Sequence, residues 1–430
     1  MSSSIDILLR PRPYANLSGN LLLLPLLPQK KPLKPLPSEI WTIIISHALV
    51  DKVTTTTQWP WSLLTICKAF KEIALPVLYS NARMSHITAL EKFHDRLHIA
   101  DQMWDSIRRI PYSTPGRWVQ TLDLSGLVFT GQPQALILDS LLTKLFPLIP
   151  FLAYLFINPS FVLSRRALAS LASREGAANI RALEGLCYLL PPSPTPDQDP
   201  FVQLLRRCPN LTFLEVIGQG PDPAELEFNY DDSDPFSMEA FKPLELPKLE
   251  VLTLLSMHNS PLMRALLASS LRSLRKLTLT PYDDVPYPAS LVSHFISAQG
   301  ETLRSLLLFT PKSWPTRLHP SPETLLITSP KLRHLSLENP LPNLSVTETH
   351  PIQILSIPRP NVDFWRVLER LFPHVPNLSI LRMRDVRWLR KGMTTMAQGA
   401  GVQGEMKEWQ RRLARRRIRL VDTDWNESEK

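Results

Sequence analysis

Glycine and cysteine are scarce in this chain, with 13 Gly and 3 Cys among 430 residues. A doubly wound α/β enzyme needs Gly at its tight strand-to-helix turns, where backbone closes on a phosphate. The scarcity argues against that class. Cys67, Cys187 and Cys208 lie far apart and form no CxxC pair. This removes a disulfide framework and a zinc site, and it points to a reducing compartment, the cytoplasm or the nucleus. Long apolar runs are also missing. LLLLPLLP (Leu21–Pro28) is far short of the roughly 20 residues that a spanning helix needs, and proline interrupts it. Arg10 and Arg12 precede it as in a secretory signal, but Gln29-Lys30-Lys31 follow where a cleavage site needs small residues. Residues 1–34 therefore read as a disordered Pro/Leu-rich leader, and no membrane partner is expected.

Catalytic motifs are absent as well. GAGVQG (Gly399–Gly404) matches GxGxxG, but only 26 residues follow it, too few for a βαβ unit, so it reads as a loop before a helix. HDRLH (His94–His98) puts two His four apart on a helix, with Asp in place of the Glu of a zinc protease and no third ligand. There is no GxSxG, no phosphate loop and no Cys/His pair. No catalytic residue, metal ligand or cofactor is assigned.

Proline, by contrast, is abundant at 42 residues, and 44% of the chain is hydrophobic. Such a chain folds, but into many short elements, because Pro continues neither a helix nor a sheet ladder. The formal charge of +9 is concentrated at one end. From Arg382 to Lys430 there are 13 Lys+Arg and 7 Asp+Glu, so 13 − 7 = +6 of it lies in the tail. The body is nearly neutral and has no basic stripe interleaved with aromatics, so a nucleic-acid partner is not expected. Within EWQRRLARRRIRLVD, Trp409, Leu413 and Ile418 share one apolar face and IRLV reads as a strand. A helix and strand that close a repeat array fit better than an import or nucleic-acid signal.

LPSEIWTIIISHAL (Leu36–Leu49) follows the leader. Ser38 stands at a helix N-cap position, Glu39 favours the positive end of the helix, and Ile40, Trp41, Ile44, Ile45 and Ala48 recur at helical spacing. A Thr-rich loop separates it from WSLLTICKAFKEIAL, whose stripe is Leu63, Ile66, Cys67, Phe70, Ile73 and Ala74. Pro76 is expected to end that second helix near Ala74 and to start a short third one, PVLYS. So small a module, residues 35–81, needs a neighbour or a partner.

These segments resemble the F-box of fungal F-box proteins. The matching residues are Leu36, Pro37, Glu39, Ile40, Ile44 and Ile45, then Leu64, Cys67, Lys68, Phe70, Ile73 and Leu78. The resemblance covers about 45 residues, and the Thr-rich loop departs from the Asp-led turn of the family. It implies that Leu36, Pro37, Glu39, Ile40, Ile44, Ile45, Leu64, Cys67, Lys68 and Phe70 bind a Skp-type adaptor, and through it a cullin scaffold.

Beyond residue 110 the pattern apolar-x-x-apolar-x-apolar recurs as VQTLDL (119–124), LAYLFI (152–157), LTFLEV (211–216), LEVLTL (249–254), LRKLTL (274–279), LRSLLL (303–308), LRHLSL (332–337), IQILSI (352–357) and LSILRM (378–383). IRALEG at Ile180 is a weaker copy. The spacing is 20 to 38 residues, and runs such as PQALILDSLLTKLF, RRALASLA and VDFWRVLERLF read as helices between strands. This is the signature of a leucine-rich repeat. Positions 1, 4 and 6 point inward, while positions 3 and 5 face out. The Asn that usually follows such strands is missing. The uneven spacing resembles the irregular leucine-rich repeats of F-box proteins.

The expected fold is thus α/β: a small helical F-box, then over residues 82–425 a curved leucine-rich-repeat solenoid with strands on the concave side and helices on the convex side. A short tail, 426–430, follows. Glu215, Thr253, Thr278, Ser336, Ser356 and Arg382 are expected to be exposed on the strands. All but Ser356 are candidate contacts for a protein substrate. Asp231 and Asp232, in an acidic stretch of seven acids between Pro221 and Ala240, and Trp314, in the FTPKSWPTRLHP loop, are further candidates. The combination implies a substrate receptor of an SCF-type (Skp, cullin, F-box) ubiquitin ligase. The alternative is a scaffold that uses the repeats alone.

Overall fold

The structure, a computed structural model, describes residues 36–50, 63–103, 115–189, 196–218, 242–257, 260–281, 291–310, 324–338, 344–388 and 401–427. The chain divides into two compact units, Met1–Thr56 and Thr57–Lys430.

In the first unit, helix α1 runs Ser38–Val50. The Trp41 N–H donates to the Pro37 carbonyl at 3.2 Å, so the helix starts one residue before the cap expected at Ser38. Pro37 suits that boundary because its φ is fixed and it has no N–H to leave unpaired.

The second unit opens with a 3₁₀ turn, Leu63–Thr65, and helix α2, Lys68–Ser80. Cys67 caps α2: its backbone is extended and its Sγ accepts the Phe70 N–H at 3.4 Å. Both ends of α2 differ from the sequence expectation. It does not stop near Ala74 but continues through Pro76. Pro76 forfeits one backbone hydrogen bond. Burial of Ala74, and of the Tyr79 ring against Phe93 and Trp118 (centroids 5.9 Å from each), offsets that loss.

Twelve strands follow: β1 (Asn81–Arg83), β2 (Thr121–Leu124), β3 (Tyr154–Ile157), β4 (Ala182–Tyr188), β5 (Phe213–Gly218), β6 (Val251–Leu255), β7 (Lys276–Leu279), β8 (Ser305–Leu308), β9 (His334–Ser336), β10 (Ile354–Ile357), β11 (Ile380–Met383) and β12 (Arg419–Val421). They form one open sheet in strict chain order, and every pairing is parallel. The helices after α2 are α3 (Ile87–Gln102), α4 (Gly131–Leu145), α5 (Arg165–Ser173), α6 (Pro200–Arg206), α7 (Pro261–Leu267), α8 (Leu291–Gln299), α9 (Leu325–Thr328), α10 (Val362–Leu371) and α11 (Gly401–Ala414). Crossovers between parallel neighbours are right-handed, and the strands all step the same way along the sheet, so the described crossover helices fall on one face. Consecutive helices from α4 to α9 touch. Helices need about 8–10 Å each where strands need about 4.8 Å, which curls such a sheet with its strands inside. This is the leucine-rich-repeat solenoid that the repeat implies.

The fourth position of every repeat lies in one row, Ala82–Leu122–Leu155–Leu183–Leu214–Leu252–Leu277–Leu306–Leu335–Leu355–Leu381–Leu420. All twelve residues are buried. First positions (Val119, Leu152, Leu211, Leu249, Leu274) and sixth positions (Leu124, Ile157, Val216, Leu254, Leu279) are buried with them. Each such side chain contributes roughly 1.5–3 kcal/mol of burial.

IRALEG is weak as a copy because β4 carries a bulge between Leu183 and Leu186. Gly185, at φ +71, lies so close to β3 that a Cβ would stand 2.0 Å from the Ile157 carbonyl oxygen. Only glycine fits there, and Leu186 takes over the buried position.

Other groups replace the missing Asn. Asn158 Nδ2 donates to the Leu127 carbonyl at 2.9 Å. The buried Arg174 donates to the carbonyls of Ile149 (2.7 Å) and Leu152 (2.8 Å), and desolvation lowers its pKa to about 10. Asp199, fully buried, caps α6 through the N–H groups of Phe201 and Val202 and accepts the Tyr188 hydroxyl. At the far end α11 buries Met406, Trp409 and Leu413, and β12 pairs with β11, so the basic tail closes the array. Helix α11 begins inside GAGVQG, at Gly401, where a loop was expected.

Candidate functional site: the open face of the sheet

Alternation along a strand sends positions 3 and 5 to the face away from the helices. The fifth positions are Arg83, Asp123, Phe156, Glu184, Glu215, Thr253, Thr278, Leu307, Ser336, Ser356, Arg382 and Val421, and the register sets them side by side apart from the β4 bulge. The third positions run parallel to them and include Tyr154, Ala182, Phe213, Val251, Lys276, Ser305 and His334. The structure thus brings Glu215, Thr253, Thr278, Ser336, Ser356 and Arg382 onto one face. Asp231, Asp232 and Trp314 lie outside the described residues.

Exposure along this face corrects the sequence expectation. Glu215, Thr253 and Arg382 are half-buried, but Thr278 is buried and Ser336 and Ser356 are fully so. Small side chains on a curled sheet sink between larger neighbours. The His334 ring spans Ser305 and Ser356, with Nδ1 3.3 Å from the Ser305 Oγ and Nε2 2.8 Å from the Ser356 Oγ. Because Ser356 is fully buried, this Ser–His contact presents no nucleophile to solvent.

The charge on the face is divided. Asp123, Glu184 and Glu215 stand on β2, β4 and β5, with Arg83 of β1 paired to Asp123, while Lys276, Arg382 and Arg419 stand on β7, β11 and β12. Burial raises the Glu184 and Glu215 carboxyls above the usual range, and their neighbouring acids add to it. At the other end the cations are mostly engaged. Arg382 donates to the Thr423 carbonyl at 2.7 Å and lies over the Trp425 ring at 4.6 Å. Arg384, just beyond β11, donates to the carbonyls of Leu308 (2.8 Å) and Leu337 (3.1 Å) and pairs with Glu338 at 2.7 Å. Nothing in the repeat consensus flags Arg384, yet it ties three repeats together.

His334 gives a pH test of this arrangement. Burial first, then the charges of Arg382, Lys276 and Arg384, lower its pKa to about 4. The unfolded chain binds a proton near pH 6.5 that the folded one refuses until about pH 4, so stability is full above 6.5 and falls between those values. Between pH 7 and pH 4, wild type should lose about 3 kcal/mol more than His334→Gln. Urea unfolding of both at the two pH values measures this, and equal losses would contradict it.

The adaptor candidates of the N-terminal segment fall in both units. Leu36 and Pro37, just before α1, and Glu39, Ile40, Ile43 and Ile44 on it are exposed, whereas Ile45 is buried. In the second unit Cys67 and Lys68 are exposed, and Leu64 and Phe70 are half-buried. Among the described residues no group of His, Cys, Asp and Glu forms a metal site, and no helix is long and apolar enough to cross a membrane. His94 and His98 stack at 5.7 Å on α3, each with a polar neighbour of its own: Asp95 for His94 and Gln102 for His98.

No family model and no curated protein matches the chain. Among solved structures, the chain is similar to one in the crystal structure of the Rad7 and Elc1 complex in yeast. The TM-score is 0.32 and the identity 13%, over 83% of this chain and 90% of that one. The fold assignment rests on the strand order and the leucine rows.

Proposed function

We propose that this chain is the substrate-recognition subunit of an SCF-type ubiquitin ligase. The α1 face would bind a Skp-type adaptor and, through it, a cullin scaffold. The open sheet face would hold a target protein. The chain would supply proximity and orientation, and the chemistry would belong to other subunits.

The observation that carries the reading is the apolar surface of α1: Leu36 is 48% exposed, Ile40 41%, Ile43 53% and Ile44 42%. Four large apolar side chains left to solvent within nine residues support a docking surface there. Together with Pro37 and Glu39 they include the positions at which the segment resembles an F-box. By the same resemblance, Leu64, Cys67, Lys68 and Phe70 of the second unit would also contact the adaptor. The test is co-expression of the full chain with a Skp-type adaptor. Wild type should co-purify with the adaptor, and Leu36→Ala with Pro37→Ala should lose it. Failure of wild type to retain the adaptor removes the ligase reading.

A further inference from the structure

Tyr154 on β3 and Phe213 on β5 occupy the same row of the open face, and Ala182 on β4 lies between them. Two strand spacings separate the aromatic residues, roughly 9–10 Å. An aliphatic chain held between two rings needs about 7–8 Å, twice a carbon–carbon contact. Ala182 carries only a methyl and is 6% exposed, so it lies low between two larger aromatic side chains of the same row. Tyr154 is 36% exposed and Phe213 half-buried, so the walls reach solvent.

One step along the strands, about 6–7 Å away, lie Phe156, Glu184 and Glu215. That distance is the length of a lysine or arginine stem. The nearby Asp123 is already engaged by Arg83 (3.2 Å) and by the Ser125 hydroxyl (2.6 Å). Among the described residues neither Glu184 nor Glu215 has an ion pair, and Glu215 gains only the Gly185 N–H and the more distant charge of Lys276. Two carboxylates that repel each other at partial burial favour a cation, and aromatic faces favour the same ligand. The cations at the opposite end of the face would turn a basic segment away.

We propose that the slot between Tyr154 and Phe213 receives a basic side chain from an extended segment of the bound protein, its stem between the rings and its head at Glu184 and Glu215. This rests on the reading that the open face holds a partner protein. The segment is basic where it crosses β3–β5 and uncharged or acidic where it crosses β7–β11.

The experiment uses the full chain and three pools of random nonapeptides, with the central residue fixed as Arg or Lys, as Asp or Glu, or as Ala. Wild type should enrich the basic pool about tenfold over the acidic one. Glu184→Gln with Glu215→Gln, isosteric and expected to remain folded, should abolish that preference. Ala182→Phe, which fills the slot and leaves the charges, should do the same. Suppose the preference survives both variants, or the acidic pool is enriched, while Thr253→Arg at the centre of the face still blocks binding. Then the slot assignment is overturned and the face remains a binding surface. If no pool binds wild type above the level of the Thr253→Arg variant, both fall.

Discussion

Leu277→Asp is expected to unfold the repeat array, whereas Thr253→Asp, on the neighbouring strand but the opposite face, is expected to leave it folded. Leu277 is fully buried at the centre of the leucine row, between Leu252 and Leu306. Truncating such a side chain costs about 2–5 kcal/mol. A carboxylate adds an unpaired buried charge worth several kcal/mol more. The sum reaches the roughly 5–15 kcal/mol that holds a whole domain together. In a solenoid each repeat is supported only by its neighbours, so a fault at β7 also removes an interface on either side. Thr253 is half-buried and points to the open face, away from the leucine row, and its replacement should cost about 1 kcal/mol, most of it from setting a carboxylate opposite Glu215. Circular dichroism melts of both variants check this, and cooperative unfolding of Leu277→Asp near the wild-type temperature would contradict it.

If α1 binds the proposed adaptor, Ile40→Asp combined with Ile44→Asp is expected to lower that affinity at least about a hundredfold with little change in stability. Both residues are exposed, so little native packing is lost. At an interface centre an apolar anchor is worth roughly 2 kcal/mol, and two of them give more than a hundredfold. Ile45→Asp is the control, since Ile45 is buried and its replacement should destabilise the helix itself. Calorimetric titration of purified adaptor into each chain separates the cases. Unchanged affinity in the double variant would remove α1 from the interface.

The leucine rows were legible in the sequence because a period-two strand repeated at 20 to 38 residues leaves few alternatives once Pro breaks the helices between copies. What escaped has local causes. Strand β1 is three residues, Asn81-Ala82-Arg83, with one inward side chain, and it shows no periodicity of its own. Pro76 reads as a stop, but the contacts of Tyr79 outweigh it, and those contacts are distant in sequence. Gly185 reads as a failed repeat until the approach of the Ile157 carbonyl is known. On the open face, alternation correctly assigned sides to Thr278, Ser336 and Ser356 but not their exposure, which for Ser356 depends on the His334 ring of the adjacent strand. The Tyr154–Ala182–Phe213 slot is invisible in a linear reading, because its walls come from repeats 59 residues apart.

The target-binding face proposed for this chain requires one side of its sheet to be covered by helices and the other to be free. Tyr154 and Tyr188, on adjacent strands, report on the two sides, since the first is 36% exposed and the second 2%. Hydroxyl-radical footprinting read by mass spectrometry should oxidise Tyr154 several times faster than Tyr188. Equal rates, or a faster Tyr188, would contradict the account.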